Sequence, residues 1–462
     1  MIRVFGKKYS IRRLFFFSGE GLFLFFSLVV VVAYRHGGDI SASDILSLWP
    51  RLLLIVFVCL LSLYYYDLYT FRSGFNYVEM TIRLIQALGS ASIFLGFLYF
   101  VFPVLLPGRW VFLGSLLVFV FLSSLWRYAY CWMLRKEWWT IPVLIVGSGT
   151  FSEKIIREIK DKSDCGFRVA GAVLDKVTAE DGAYGDIRVF NSFSDLSQRV
   201  REIGAEEIIV AMDQRRGRLP LDELLECKMK GVLVLEGETF YEELTGRILV
   251  DNINPSWLIF HEGFQKSWLM MATKRLIGTC ISALGLFFSF PILLLTSICI
   301  KLDSHGPIFY RQERVGKDGK TFVLIKFRSM RQDAERGGAK WAKQDDVRVT
   351  RVGRIIRKLR IDEIPQMWNV LKGEMNFVGP RPERPQFVNE LTEKIRYYDQ
   401  RSTVQSGITG WAQISYPYGA SEEDAKKKLE YDLFYIKHMS IILDLYIILK
   451  TVKTILFREG AR

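Results

Sequence analysis

Asp362 and Glu363 are adjacent. They follow a run of cations, Arg354, Arg357, Lys358 and Arg360, and precede Pro365. Neighbouring carboxylates cannot face one spot from a regular helix, but at a helix end or bend both can reach a metal and a substrate. Aspartate, with an ordinary pKa of about 3.9, is ionised without a general base. It can attack phosphorus to form an acyl phosphate. A neighbouring carboxylate can hold Mg²⁺, which prefers oxygen ligands and phosphates. Arg and Lys around the pair would spread the charge that develops on phosphoryl oxygens. The competing reading is that the two acids pair with the arginines of their own helix on a solvated face.

Other groups converge on the same stretch. Lys326 and Arg328 alternate along the strand pattern FVLIKFRSM (322–330), which places both on one side. That strand follows an aromatic strand and a D-G turn at Asp318-Gly319. Gly379-Pro380-Arg381-Pro382 forms a rigid turn presenting one guanidinium. The loop SGITGWAQISYPYG (406–419) suits a flat base or sugar, or else is structural with Trp411 buried. Residues 429–457 are strongly apolar, with Lys437, Asp444, Lys450 and Lys453 spaced along them. They read as an amphipathic helix in the headgroup plane, the alternative being a core helix.

The elements that position these groups are set by an uneven composition. The chain has 462 residues, 50% hydrophobic and 24% charged. Apolar runs cover 14–34, 52–66, 91–106, 110–134 and 276–300, while the charges lie mostly elsewhere. This excludes a simple globular enzyme, a wholly intramembrane transporter and a disordered chain. Four membrane helices are expected near 14–34, 47–68, 84–106 and 109–134. The first lacks a small-residue cleavage pattern and is read as retained. Arg3, Lys7, Lys8, Arg12 and Arg13 precede it, Arg72 and Arg83 fall in the second loop, and Arg127, Arg135 and Lys136 follow at the end of the fourth helix. The positive-inside rule therefore places both ends of the bundle in the cytoplasm. The fifth run has basic residues on both flanks and Pro291 near its middle. It is either an ordinary span or a helix that bends and leaves through the face it entered.

Between the bundle and the chemistry-bearing region, short β runs alternate with helical segments: 141–148, 167–175, 186–190, 206–212 and 231–237. That alternation predicts a parallel, Rossmann-like sheet. Gly147-Ser148-Gly149 could open an anion site at a helix N-terminus, with Asp175 on a ribose. Ser152, however, stands where the third glycine of the fingerprint belongs, so the glycines could equally serve packing. The net charge is +13, and residues 311–384 alone hold 19 basic and 10 acidic side chains, a local +9. No nucleic-acid reader stands out, which leaves anionic headgroups or a polyphosphate substrate. The six cysteines form no C-x-x-C pair and the four histidines show no metal-ligand spacing.

Four motifs carry a resemblance: KFRSM (326–330), IDEIPQMWNVLKGEMNFVGPRP (361–382), GITGWAQI (407–414) and LEYDLFYIKHMS (429–440). The chain resembles the bacterial monotopic phosphoglycosyl transferases of exopolysaccharide assembly. It is most similar to the long undecaprenyl-phosphate glycosyl-1-phosphate transferase type and its exosortase-associated branch. The likeness covers Lys274 to Phe457 closely and the preceding part more loosely. It implies a four-helix transmembrane anchor (1–138), a Rossmann-like α/β domain (139–265) and a monotopic α/β catalytic domain (270–462) with a re-entrant membrane helix (274–301) kinked at Pro291. By resemblance, Asp362 attacks the β-phosphate of a UDP-sugar, UMP leaves, and a polyprenyl phosphate collects the phosphosugar. Glu363 positions Mg²⁺. Lys326, Arg357 and Arg381 line the phosphate site, and Pro380-Arg381-Pro382 touches the nucleotide.

The expected setting is the bacterial inner (cytoplasmic) membrane, with the active site on the cytoplasmic face. The expected partners are the UDP-sugar donor, the polyprenyl phosphate acceptor and the bilayer, without nucleic acid; the bundle and α/β domain offer surface for a homodimer. Two departures from the family pattern stand out. Phe290-Pro291 replaces a Ser-Pro step, and Ser304-His305-Gly306-Pro307 replaces Ser-Pro-Gly-Pro. A non-catalytic nucleotide-sugar sensor or assembly scaffold is the rival, and the intact acid pair with its cations argues against it. A Rossmann epimerase or dehydrogenase would need a Tyr-x-x-x-Lys pair, and 141–250 has none.

Overall fold

The computed structural model describes residues 2–4, 6–35, 42–69, 77–105, 109–136, 138–162, 164–174, 187–212, 219–253, 263–264, 266–332, 348–416, 419 and 421–457. Arg72 and Asp175 lie outside the described residues. The chain forms two compact units, Met1–Phe240 and Tyr241–Arg462.

The first unit opens with a small hairpin, β1 (Ile2–Val4) and β2 (Lys7–Tyr9), followed by α1 (Ile11–Arg35), α2 (Ala42–Tyr65), α3 (Tyr77–Val101) and α4 (Arg109–Arg135). All four are long and apolar enough to cross a membrane. Helix α3 begins earlier than expected. Glu79 in its first turn suits the helix dipole and pairs with Arg83 one turn on, which extends the helix back. The bundle is apolar outside as well as inside: Leu22, Phe57, Ile93, Phe97, Leu117 and Phe121 are exposed. Water would not favour that surface, and a hydrocarbon would. The polar residues turn inward. Glu20 meets Arg127 at 2.5 Å and accepts from the Ser123 hydroxyl at 2.7 Å, while Arg127 donates to the Leu68 carbonyl at 2.8 Å.

The rest of this unit alternates strand and helix: β3 (Ile141–Ser148), α5 (Thr150–Asp161), β4 (Phe167–Leu174), β5 (Arg188–Phe190), α6 (Leu196–Ile203), β6 (Glu207–Met212), α7 (Leu221–Met229), β7 (Leu233–Glu236) and α8 (Gly237–Thr245), the last continuing into the second unit. The strands form one parallel sheet in the order β5-β4-β3-β6-β7, as the alternation predicts. A Cβ on Gly147 would stand 2.0 Å from the Ala211 carbonyl oxygen, so strand packing alone requires this glycine. Ser152 is buried and donates to the Gly149 carbonyl at 2.9 Å. Asp164 joins the sheet to the bundle, accepting from Arg13 and from the Tyr130 hydroxyl, each at 2.9 Å.

The second unit begins with one long helix, α9 (Trp268–Asp303), whose first turn is capped by Ser267. The hairpin β8 (Phe309–Val315) and β9 (Thr321–Phe327) turns at Asp318-Gly319, both at positive φ, as a D-G turn allows. Next come α10 (Arg351–Lys358), α11 (Gln366–Lys372), β10 (Asn376–Val378), α12 (Pro385–Lys394), β11 (Gly407–Thr409), α13 (Trp411–Ser415), α14 (Glu422–His438) and α15 (Ile441–Phe457). Strands β10 and β11 pair in parallel, and a capping box of Ser421 and Asp424 starts α14.

Helix α9 runs unbroken through Pro291, which removes one N–H donor without ending the element. Its 36 residues would measure about 54 Å if straight, far more than a hydrocarbon core of ~30 Å needs. One stripe, Lys274, Gly278, Ser282, Thr296 and Ile300, is buried against the rest of the unit. The other faces are exposed and apolar, including Phe287, Phe288, Phe290, Leu294 and Leu295. Ser289 makes only a long bond, 3.5 Å, to the Leu286 carbonyl.

Two expectations need correction. Residues 429–457 are not one interfacial helix but two, divided after His438. Helix α14 is a core helix, burying Leu429, Leu433, Phe434 and Tyr435. The charges read as a headgroup face point inward: Lys437 donates to Glu242 at 2.8 Å and Asp444 accepts from Lys274 at 2.5 Å. The outward row of α15 is apolar instead, with Ile442, Leu445, Leu449, Val452 and Ile455 exposed.

The second correction concerns Arg328. It lies one residue beyond β9, buried, and its guanidinium clamps the turn after α9. It donates to the His305 carbonyl at 2.8 Å, to the Ser304 carbonyl at 2.7 Å and to the Ser304 hydroxyl at 2.9 Å. The changed turn sequence is thus held by this arginine. Arg328→Met leaves those acceptors unpaired and should lower stability by about 2–4 kcal/mol. Arg328→Lys should not restore it, because an ammonium lacks the planar fork. Thermal unfolding of the purified protein in detergent measures both.

Candidate active site

The acid pair sits at a bend, not on a helix. Helix α10 ends at Lys358, Arg360 adopts a left-handed conformation (φ 57°), and Ile361–Glu363 form a single 3₁₀ turn before Pro365 starts α11. The reversal turns both carboxylates inward from a strongly basic segment. Asp362 is buried and the Glu363 side chain is only 11% exposed. The solvated-face reading of the pair therefore fails.

The two acids meet opposite environments. One oxygen of Glu363 accepts from Arg381 at 2.8 Å, Lys326 at 3.3 Å and Arg360 at 3.4 Å. Burial alone would raise its pKa, but Arg381, Lys326 and Arg360 together hold it well below the usual carboxylate range. Asp362 Oδ1 is buried with no hydrogen-bond partner. Burial, and then the charge of Glu363, push its pKa up to about 6 against the pull of Lys326, Arg360 and Arg357. The pair thus combines a locked anion with a buried carboxylate whose Oδ1 has no hydrogen-bond partner, the division of labour expected of a structural acid beside a reactive one.

Each cation is placed by a rigid support. Lys326 sits at the end of β9, which Asn369 pins from α11: the buried amide donates to the Val323 carbonyl at 2.7 Å and accepts from the Ile325 N–H at 3.1 Å. Every carbonyl of the Pro-Arg-Pro turn is held. That of Pro380 accepts from Gly407 N at 2.9 Å, that of Arg381 from Arg401 at 3.0 Å, and that of Pro382 from Arg314 at 3.2 Å. Arg401 is itself anchored by Asp432 at 2.9 Å and by the Tyr398 hydroxyl at 2.6 Å. The turn approaches β11 so closely that a Cβ on Gly379 would lie 2.4 Å from the Gln405 carbonyl.

The structure therefore gathers Asp362, Glu363, Lys326 and Arg381, and brings Arg357 near enough to act on Asp362 by charge. Pro380 and Pro382 are buried and shape the turn, and both border the cleft beside it. Arg328 is directed to the turn after α9. Trp411 is also core: it is buried, donates to the Gly246 carbonyl at 2.8 Å and stacks on Phe434. Sequence reading overlooked Arg401, Asp432 and Asn369. They lie far apart in the chain, and only a motif match, not spacing, could have drawn attention to them. Beside the turn, Gly316, Arg381, Pro382, Tyr398 and Ser402 border a shallow, open cleft.

Against known proteins, the profile of the bacterial sugar transferase family matches residues 269–458. A UDP-glucose:undecaprenyl-phosphate glucose-1-phosphate transferase of Caulobacter vibrioides is 38% identical over 190 residues, 41% of this chain and 71% of that protein. The chain belongs to the bacterial sugar transferase family. A UDP-N-acetylgalactosamine-undecaprenyl-phosphate N-acetylgalactosaminephosphotransferase of Aeromonas hydrophila is 41% identical over 52% of this chain and 56% of its own. An undecaprenyl-phosphate glucose phosphotransferase of Komagataeibacter xylinus is 35% identical over 69% and 60%. The chain thus spans a little over half the length of these last two relatives. The matched segment contains Asp362, Glu363 and all the cations around them, as well as α9 from its second residue on.

The unequal pair has opposite signatures in stability. Asp362 rises from an ordinary 3.8 to about 6 in the folded protein. Its contribution is therefore complete below about pH 3.8 and is lost as pH climbs through about 6. At pH 7.5 the ionised Asp362 destabilises the fold, and Asp362→Asn should raise stability by roughly 1–3 kcal/mol. Glu363 is depressed, so its contribution is present at neutral pH and lost only in acid. Glu363→Gln should lower stability at pH 7.5 by leaving three cations unmatched. Melting temperatures of both variants at pH 7.5 test the pair; a shift of the same sign in both would contradict the assignment.

Proposed function

We propose that the protein transfers a sugar-1-phosphate from a UDP-sugar to a polyprenyl phosphate, initiating assembly of an exopolysaccharide or related glycan. The observation that carries this reading is the buried, unpartnered oxygen of Asp362 beside a cation-locked Glu363. A carboxylate that accepts no hydrogen bond retains its lone pairs for attack. Asp362 would attack the β-phosphorus of the donor. The bond from that phosphorus to the bridging oxygen breaks, and UMP leaves with the oxygen. An aspartyl-phosphosugar remains. An oxygen of the polyprenyl phosphate then attacks the same phosphorus, the Asp362 carboxylate leaves, and the product is a polyprenyl diphosphosugar. Lys326, Arg381 and Arg357 stabilise the charge passing through the phosphoryl oxygens in both steps.

Mg²⁺ suits this site. It is commonly held by one or two carboxylates together with substrate phosphates and waters. Among the described residues no cluster of three His, Cys, Asp or Glu side chains gathers, so a site built wholly from protein ligands is not the model. Glu363 would hold the ion, leaving the unpartnered oxygen of Asp362 free. When bound, the ion would neutralise part of the diphosphate charge.

The apolar surfaces support a membrane placement. The four helices of the first unit would span the inner membrane, with the basic N-terminal segment on the cytoplasmic side. Helix α9 would enter and leave through that same face. Lys274, Arg275 and Gly278 near its start contact the β10 region, and Ile300 and Asp303 at its end contact β9 and α10. A path across the bilayer would draw those polar elements into hydrocarbon. The apolar rows of α9 and α15 would then hold the acids at headgroup height, where a soluble donor meets a lipid acceptor. A non-catalytic scaffold would gain nothing from a buried carboxylate that weakens its own fold.

The test is a half-reaction. Membranes carrying the protein, given a panel of UDP-sugars without acceptor, should release UMP and acquire a phosphosugar on Asp362, seen as added mass on its peptide. Asp362→Asn should abolish both. Arg381→Ala should slow the step by roughly 10²-fold, in line with loss of one charge-stabilising donor. Normal turnover by Asp362→Asn would refute the covalent route.

A further inference from the structure

The first half of α9, the tip of β10 and the start of α15 border a shallow, open groove. Ile277, Gly278 and Ile281 form one wall, Ile441, Leu445 and Ile448 the other, and Phe377 the floor. Leu276, Leu284, Ile442 and Leu449, outside the lining, are exposed apolar side chains on the same two helices. No site described above uses it.

Three observations define what it can take. The walls are fixed before anything binds. Lys274 of α9 donates to Asp444 of α15 at 2.5 Å and to the Val378 carbonyl of β10 at 2.9 Å, and the Tyr435 hydroxyl of α14 donates to Asp444 at 2.7 Å. This buried network satisfies its charges internally, so it offers no free cation to an anion and serves instead to hold four elements at a set spacing. Next, apart from the mutually paired Lys274 and Asp444 the lining is apolar, and it lies between α9 and α15, whose outward rows are apolar, which suits hydrocarbon arriving from a bilayer. Finally, the groove ends at Val378. Three residues on stands Arg381, whose guanidinium lies 2.8 Å from Glu363. Three residues reach at most about 11 Å, so a chain lying in the groove brings its head group within side-chain reach of the acid pair.

We propose that this groove seats the first isoprenoid units of the polyprenyl phosphate acceptor. The assignment rests on the reaction proposed above. The pre-set walls lower the ordering cost of binding a flexible chain, and the phosphate is delivered toward Arg381 and the Asp362 adduct. Bulk lipid acyl chains are the competing occupant, and they would make the groove indifferent to the acceptor.

Ping-pong chemistry separates the possibilities. Ile281→Trp and Ile448→Trp fill the groove, while Leu449→Trp places the same bulk on the neighbouring outward row. Each protein is reconstituted in phosphatidylethanolamine–phosphatidylglycerol vesicles and loaded with UDP-sugar, and the adduct is then chased with polyprenyl phosphate. The two groove variants should form the adduct and release UMP at the unaltered rate, but the KM for acceptor in the chase should rise at least about tenfold, a factor that loss of a few buried methylenes readily supplies. Leu449→Trp should match the unaltered protein in both halves. An unchanged chase in the groove variants, an equal change in Leu449→Trp, or a parallel fall in both halves would overturn the assignment. Absence of any adduct in the unaltered protein would overturn the reaction itself, and this inference with it. A polyprenyl phosphate bearing a diazirine near its head gives an independent reading on the unaltered protein: peptides containing Ile281 or Ile448 should be labelled, and labelling confined to other peptides would exclude the groove.

Discussion

Two buried carboxylates on consecutive residues repel each other, and the catalytic unit is built around that conflict. Glu363 takes the available cations: Arg381, Lys326 and Arg360 all converge on one of its oxygens. Asp362 then has neither solvent nor a hydrogen bond on Oδ1. Its ionisation is opposed by burial and by Glu363, and is supported only at longer range by the same cations and Arg357. A carboxylate in that position is a better nucleophile than one in water because little has to be stripped from it before it reacts. The arrangement holds only if Glu363 stays fully neutralised. The supports of Arg381 and Lys326 therefore matter as much as the two side chains themselves.

Those supports form a short hierarchy. Asp432 and the Tyr398 hydroxyl hold Arg401, Arg401 holds the Arg381 carbonyl, and the Arg381 side chain reaches Glu363. In parallel, Asn369 fixes β9 and so the origin of Lys326. The two routes start on different helices, α14 and α11, and both end on the same carboxylate oxygen. Proline on either side of Arg381 removes backbone freedom from the turn. Only one flexible side chain then has to be ordered for the final contact.

Much of this was readable in the amino-acid sequence, and the failures share a cause. The parallel sheet follows from the alternation of apolar runs with helical periods, and the β8–β9 hairpin from its Asp-Gly turn, because both signals are local. The acid pair was legible as chemistry, but whether it faced solvent depended on the left-handed Arg360, which no propensity for arginine foretells. Arg328 was misplaced because alternation along a strand was extended one residue past the strand's end. Lys437, Asp444 and Lys453 looked like the polar face of an interfacial helix. Their partners Glu242 and Lys274 lie more than a hundred residues away, so spacing within the helix could not show that the charges turn inward. Motif resemblance supplied the catalytic roles, which spacing left open.

The inward charges also explain how one folded unit can lie against a bilayer. An ordinary soluble domain buries its apolar residues and exposes its charges. In α9 and α15 the order is reversed: Lys274 and Asp444 are paired in the interior, while Phe287, Leu294, Leu445 and Leu449 face outward. Pairing the charges with each other satisfies them without water. The outer surface is then free to be wholly apolar over both helices. Along one stripe from Lys274 to Ile300 the helix is held by its own unit. The position of the acid pair relative to the apolar rows is therefore set by the packing of α9 on its own unit, where Ile300 meets Phe327, Ile356 and Ile361 beside Asp362.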